Sequence, residues 1–258
     1  MFDAARKDAV IVVLSQVPPG FTRGKQREGR ILYYQVETLI FGRAVERALL
    51  PERYIVGCAD PSQPLPAACR TLPDGARLPD PAMRYESAGL AKISINMCLV
   101  ASVSTANTLA ELCEKIGADW SEIVPALKLD RRIGQYSYLA PGLGIAGGNL
   151  ERDLATVCSF ADRDAAPMPA LARAWIANSR HRRDWVLRTL YREVLCKHED
   201  PEIAVLGLAY KQDTHSAKNS PVIALAGKHQ ALQRSGVRPR GSFRCGTEPA
   251  LPWGVLGA

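Results

Sequence analysis

The sequence lacks an uninterrupted apolar run anywhere near the roughly 18 residues of a membrane span, so no membrane insertion is expected. It lacks a C-x-x-C pair: seven cysteines, an odd number, lie scattered. That pattern excludes a disulfide framework and a zinc site, leaves no metal ligand set, and points to a reducing cytoplasm. The first residues, Met1-Phe2-Asp3-Ala4-Ala5-Arg6-Lys7-Asp8, lack the basic-then-apolar order of a signal peptide. No nucleic-acid-binding motif is present either. The densest basic cluster is Arg180, Arg182, Arg183, Arg188 and Arg192. It forms no single stripe, Asp184 and Glu193 interrupt it, and it reads as a solvated helix face. What is there is a chain of 258 residues, 47% hydrophobic, enough for one large or two small domains. Its formal net charge of +7 suits anionic ligands.

Ala9 to Ser15 is short, continuous and β-branched, which predicts a buried strand, ended by Val17-Pro18-Pro19-Gly20. Arg53 to Gly57 predicts a second short strand. Pro61 to Pro81 is rich in proline and turn residues and predicts an irregular or partly helical connection. Glu86 to Ile116 is the longest helical candidate. Its small residues (Ala88, Gly89, Ala91, Ala101, Ser102, Ser104, Ala106, Ala110) permit close packing. Gly117 is placed to stop it, and Asp119 with Glu122 forms a capping-box pattern for the next helix. Pro125 is expected to end or bend that helix early. Leu171 to Lys197 reads as one further long helix, Glu202 to Ala209 as a buried strand, and Pro221 to Ser235 as a helix. Gly241 to Ala258 shows no period of 2 or 3.6.

The most informative stretch is Pro141-Gly142-Leu143-Gly144-Ile145-Ala146-Gly147-Gly148-Asn149-Leu150-Glu151-Arg152-Asp153. Four glycines fall within seven residues, and charged side chains follow. Glycine permits φ > 0 and a close approach of backbone to a ligand. Taken alone, the loop reads first as an ordinary Gly-rich connection between helices.

Its neighbours carry more. Ser15-Gln16-Val17-Pro18-Pro19-Gly20, Leu50-Pro51-Glu52-Arg53-Tyr54-Ile55-Val56-Gly57, Leu129-Asp130-Arg131-Arg132-Ile133-Gly134, Leu206-Gly207-Leu208-Ala209-Tyr210-Lys211 and Asn219-Ser220-Pro221 stand in that order along the chain. In this order, with the loop, they resemble the nucleotide-sugar 6-dehydrogenase family, the UDP-glucose and GDP-mannose dehydrogenases. The resemblance covers roughly Asp8 to Gly236. It implies an α/β fold in which a helical central dimerisation domain is flanked by incomplete Rossmann-like α/β units. Residues 1–84 then correspond to the C-terminal part of an NAD-binding domain, 85–200 to the central domain, and 201–258 to the start of a UDP- or GDP-binding domain. The family opens with a G-x-G-x-x-G turn that does not precede Ala9, and both ends read as truncations. A homodimer through the Glu86–Ile116 helix is expected.

The resemblance also implies roles. The family oxidises a sugar C6 alcohol to a carboxylate with NAD, the second oxidation passing through a cysteine thiolate. That cysteine belongs four residues before the loop aspartate, where this chain has Asn149. An amide nitrogen conjugated to its carbonyl has no usable nucleophilic lone pair, so the covalent step is expected to be disabled. Asp153 matches the loop aspartate that assists acid–base steps. Lys92 and Asn96, at i and i+4 on one helix face, match the pair that binds the transferred oxygen and positions the substrate. Glu37 matches the water-activating glutamate. Gly144 belongs to the substrate loop, Arg132 to the arginine that reaches the partner subunit's substrate, and Lys211 to a substrate-contacting lysine. Gln16, where a threonine usually orients water, Glu37 and Lys218, where an arginine usually meets the cofactor, border the NAD site. Arg152 replaces a lysine.

The expected ligand is thus a UDP- or GDP-sugar, with no nucleic-acid or membrane partner. Two readings stay open: an NAD-dependent nucleotide-sugar dehydrogenase impaired at Asn149, and a non-catalytic dimerising remnant that holds a nucleotide sugar. A basic interaction protein using the Arg-rich helix ranks well below both.

Overall fold

The computed structural model describes residues 5–37, 39, 43–50, 53–66, 82–146, 148–161, 168–198, 201–210, 214–234 and 242–246. The chain divides into two compact units, Met1–Asn96 and Met97–Ala258.

The first unit is built on four strands: β1 (Val10–Val13), β2 (Ile31–Gln35), β3 (Val56–Cys58) and β4 (Met83–Arg84), in that order across the sheet. β1 and β2 run parallel, with Val10 opposite Ile31 and Val13 opposite Tyr34. β2 and β3 are antiparallel, and β3 and β4 parallel. A strand forms at each expected place, but β1 is not the buried strand expected: it lies at the end of the strand order, and Val12 is 40% exposed. The short helices α1 (Phe21–Lys25) and α2 (Ala44–Leu49) lie in the connections.

The long helix α3 (Tyr85–Ile116) starts in this unit. Its first turns bury Tyr85 and Ala88 against Leu32, Tyr34, Val36 and Ile55. The Tyr85 hydroxyl donates to the Leu32 carbonyl at 2.6 Å, and burial pushes its pKa up to about 12. Gly57 makes the helix–sheet approach possible: a β-carbon there would sit 2.8 Å from Ala88 Cβ and 3.1 Å from Tyr85 Cα. Neither neighbour is a flexible side-chain end. Gly57→Ala is therefore expected to destabilise the first unit by about 1–3 kcal/mol through overpacking. A urea-unfolding midpoint unchanged from the native chain contradicts this.

The second unit begins with the rest of α3, followed by α4 (Trp120–Leu129), α5 (Asn149–Ala161), α6 (Met168–Arg183) and α7 (Trp185–Leu190). A π-helical turn, Tyr191–Leu195, extends α7. β5 (Glu202–Leu206), α8 (Pro221–Arg234) and β6 (Ser242–Gly246) complete it, with β5 and β6 parallel; β5 is shorter than expected and is not buried, with Leu206 50% exposed. Two apolar cores hold the helices. One joins Ala106, Ala110 and Cys113 of α3 to Trp120 and Leu139, whose carbonyl accepts the Trp120 indole N–H at 2.9 Å. The other joins Val100 of α3, Ile145, Leu154 of α5 and Ala172 of α6. By length and composition α3 also reaches what a membrane span needs. Its buried face, which includes the polar Asn96 and Asn107, instead lies inside protein.

Several expectations are corrected. α4 does not stop at Pro125: it runs on to Leu129 with the proline inside. The missing N–H costs one bond, while Asp119 caps the first turn by accepting from Ser121 N–H at 2.7 Å. The single helix expected over 171–197 is interrupted. At Asp184 the backbone N–H bonds back three residues to His181 C=O at 3.2 Å, and α7 starts afresh. The segment after Gly241, which has no sequence period, contains β6. Gly117 does stop α3, with φ 74° in the left-handed region where glycine is favoured.

Candidate functional site

The Gly-rich loop lies in the second unit and ends where α5 begins. Ile145 anchors it, buried at 4% exposure among Val100, Leu154 and Ala172. Around that anchor the loop's polar backbone is met by side chains. Gly142 N–H donates to Asn107 Oδ1 at 2.7 Å, and Gly142 C=O accepts Arg182 Nε at 3.0 Å. Ile145 N–H donates to Ser179 Oγ at 2.8 Å, and Ile145 C=O accepts Arg183 Nη2 at 2.5 Å. Gly144, at φ 85°, packs its α-carbon directly onto the Ser179 residue of α6.

Asn149 is the first residue of α5 and is exposed; its Oδ1 accepts Arg152 Nη2 at 3.2 Å. Asp153 lies one turn later, on the same face, and is buried at 3% exposure. The Arg152 guanidinium stands 3.9 Å from its carboxylate. Lys218 lies over the loop's end: a β-carbon on Gly148 would meet its Cε and Nζ at 3.0 Å. The neighbouring Asn219, held at φ 54°, donates to Glu151 Oε2 at 2.8 Å, and Arg183 pairs with the other oxygen of Glu151. Gly144, Asn149, Asp153 and Lys218 are thus gathered around one loop and one helix start.

The other expected residues lie elsewhere. Arg132 is exposed and forked onto Asp130, with Nε at 3.0 Å and Nη2 at 2.6 Å. The Arg132 hydrogen bonds hold the Asp130 carboxyl below its ordinary range. In the first unit, Lys92 is half-buried on α3 and Asn96, one turn on, is buried at 6% exposure. Gln16 is half-buried after β1. Glu37 is exposed after β2, and its carboxylate accepts the Leu39 N–H at 2.7 Å. Lys211 lies outside the described residues.

The basic cluster read as a solvated face is corrected in part. Arg182 is 6% exposed, stacked 4.7 Å from the Trp185 ring centroid. Burial pushes its pKa down. Glu111 on α3 gathers His181 at 3.0 Å, Arg188 at 3.5 Å and Arg182 at 3.7 Å. Burial raises the Glu111 pKa, but the His181 hydrogen bond and the arginine charges outweigh it and hold the carboxyl below its ordinary range. Asn107, Ser179, Arg182 and Arg183 had no assigned role in the sequence reading. The available signal was Asn107, a poor helix former set among small and apolar residues of a long helix.

The model of the UDP-glucose/GDP-mannose dehydrogenase family, central domain, matches residues 86–180. Over those residues the chain is similar to that family's central domain. UDP-glucose 6-dehydrogenase TuaD of Bacillus subtilis is 28% identical over 232 residues, 86% of this chain and 49% of that protein. UDP-glucose 6-dehydrogenase of Rickettsia conorii is 27% identical over 240 residues, covering 87% and 53%. A UDP-glucose dehydrogenase structure from Pyrobaculum islandicum superposes with a TM-score of 0.74 at 25% identity, covering 92% of this chain and 54% of that one. The chain spans about half the length of the curated relatives it matches.

The family match takes in Lys92, Asn96, Asn107, Arg132, the Gly-rich loop, Asn149, Asp153 and Ser179. Within the loop, Gly142, Gly144 and Gly147 happen to fit G-x-G-x-x-G. A dinucleotide fingerprint needs a strand directly before it. Residues 130–146 contain none, so the loop is not one.

Proposed function

We propose that this chain holds a UDP- or GDP-sugar at its Gly-rich loop, as a nucleotide-sugar dehydrogenase homologue, and that oxidation to the uronate is blocked at Asn149. The observation that carries the reading is the start of α5. There an amide stands at the first helical residue, a buried carboxylate follows one turn later, and a lysine ammonium lies against the preceding glycine. Relatives that match most of this chain are named UDP-glucose 6-dehydrogenases, which makes UDP-glucose the first ligand to test. Domain limits near residues 84 and 200 go with this reading.

In the first unit, taken by itself, Lys92 and Asn96 form a pair suited in this proposal to holding an alcohol oxygen. An ammonium beside a developing alkoxide stabilises it electrostatically. Asp153 handles a proton. The second oxidation needs a nucleophile that adds to the aldehyde carbon and leaves again on hydrolysis. The Asn149 amide has no lone pair for that addition, so no covalent adduct forms.

NAD supplies the hydride acceptor in the family. The fit of this chain to it is poor among the described residues. The turn after β1 carries Pro18 and Pro19, which have no N–H to offer a pyrophosphate, and it leads into a helix of only five residues. Lys218 supplies one charge, which does not replace a helix N-terminus with its glycines. We expect NAD binding in the millimolar range or weaker. Isothermal calorimetry with UDP-glucose tests the reading: saturable binding relieved by UDP supports it, and no heat with any UDP- or GDP-sugar contradicts it.

The proposed homodimer uses α3. Leu109, Leu112 and Ile116 are 37%, 47% and 68% exposed and share one helix face. Light scattering at micromolar concentration is expected to give the dimer mass, and Leu112→Glu the monomer mass. A native chain that is monomeric under the same conditions refutes the pairing.

A further inference from the structure

Residues 141–146 have no regular structure, yet the backbone of two of them is filled from outside. Both polar groups of Gly142 and both of Ile145 are bonded to side chains: Asn107 from α3, and Ser179, Arg182 and Arg183 from α6. Asn107, Ser179 and Arg182 are 2%, 5% and 6% exposed. A buried guanidinium is a poor choice for stability alone, because desolvation offsets what its partners return. Here Nη1 faces Glu111 at 3.7 Å without making a hydrogen bond. The one good bond, from Nε, goes to the loop.

We propose that Asn107, Ser179 and Arg182 are positioning residues. They fix residues 142–145 as a rigid template, so that the first turn of α5 presents Asn149 and Asp153 to a bound nucleotide sugar in one geometry. The ligand part of this rests on the functional reading above. The clamp itself rests on the bonds just described. Each half of the clamp has a distinct anchor. Asn107 and Arg182 hold the N–H and C=O of Gly142 from two different helices, so loss of either removes one of its two side-chain bonds. Ser179 holds Ile145, and its own backbone leaves room only for glycine at position 144.

Two variants test the proposal. Arg182→Met keeps length and packing but removes the donor, and Ser179→Ala removes a single oxygen. Amide hydrogen exchange is followed at residues 152–153 and at 100–113 of α3, alongside calorimetry with UDP-glucose. Both variants are expected to speed exchange at 152–153 by about tenfold or more while 100–113 keeps its native protection. They are also expected to weaken UDP-glucose binding by about tenfold. Exchange that rises uniformly over both segments, or that stays native at 152–153, overturns the proposal. Local acceleration in a chain that binds no UDP-glucose even in its native form sustains the clamp and overturns only the ligand reading.

Discussion

Incubated with UDP-glucose, UDP-N-acetylmannosamine or GDP-mannose and NAD, the chain is expected to yield no uronic acid detectable by mass spectrometry at enzyme-like rates. The reason is local. The first residue of α5 is Asn149, and no cysteine lies in the loop; the nearest, Cys158, lies beyond Asp153. Removing a covalent nucleophile commonly costs several orders of magnitude in rate, on the order of 10⁴–10⁶. The effect is not expected to reverse with one substitution. Asn149→Cys places a thiol at a helix start, where thiolates are favoured, but adds no pyrophosphate donors to the described residues. It should therefore remain inactive. Uronate formed by the native chain shows that another group does the work. Uronate formed by Asn149→Cys alone shows that the cofactor argument is wrong.

Gly144→Ala is expected to give the largest stability loss from a single methyl group in this loop. At φ 85° an L-residue is strained, at a cost of about 1 kcal/mol or more. The added β-carbon would lie 2.5 Å from the Ser179 carbonyl oxygen and 2.8 Å from its Oγ. That oxygen belongs to α6 backbone and cannot rotate away, so overpacking adds about 1–3 kcal/mol. Gly142→Ala supplies the control. It lies two residues earlier in the same loop, and its β-carbon would meet nothing within 4 Å. Its cost should be small, within about 0.5 kcal/mol. Urea unfolding of the two variants separates them. Equal midpoints contradict the close approach of Gly144 to α6.

The contrast shows how far the sequence was legible. The long helix over 86–116, its stop at Gly117 and the strand near 202 were readable because apolar periodicity and glycine punctuation are local signals. Four glycines in the loop were visible as well, but not which of them is obligatory. That depends on where Ser179, 35 residues away, places its carbonyl. The same limit explains Arg182. On a helix bearing Arg180, Arg183 and Arg188, one more arginine looks solvated. Only the tertiary placement of Gly142 and Trp185 buries it. Pro125 misled in the opposite direction. The rule that proline ends a helix is a backbone preference, and here the helix, capped by Asp119 and tied to Leu139 through Trp120, runs on past it.

The candidate site divides in the same way. Asn149 and Asp153 were readable because they flank the glycines at a fixed helical spacing, and the structure places both on the first turns of α5. The link of Lys218 and Asn219 to this turn was not readable, since some 70 residues separate them from Gly148 and Glu151. A left-handed Asn219 and its bond to Glu151 bring them there.

In the function proposed, the chain holds a nucleotide sugar without bonding to it covalently. Native mass spectrometry of the intact chain with UDP-glucose and NAD tests it most directly. The account predicts one UDP-glucose per subunit, lost on denaturation, with no covalent mass increment. A covalent sugar adduct that survives denaturation, or a chain to which no nucleotide sugar adds at any accessible concentration, contradicts it.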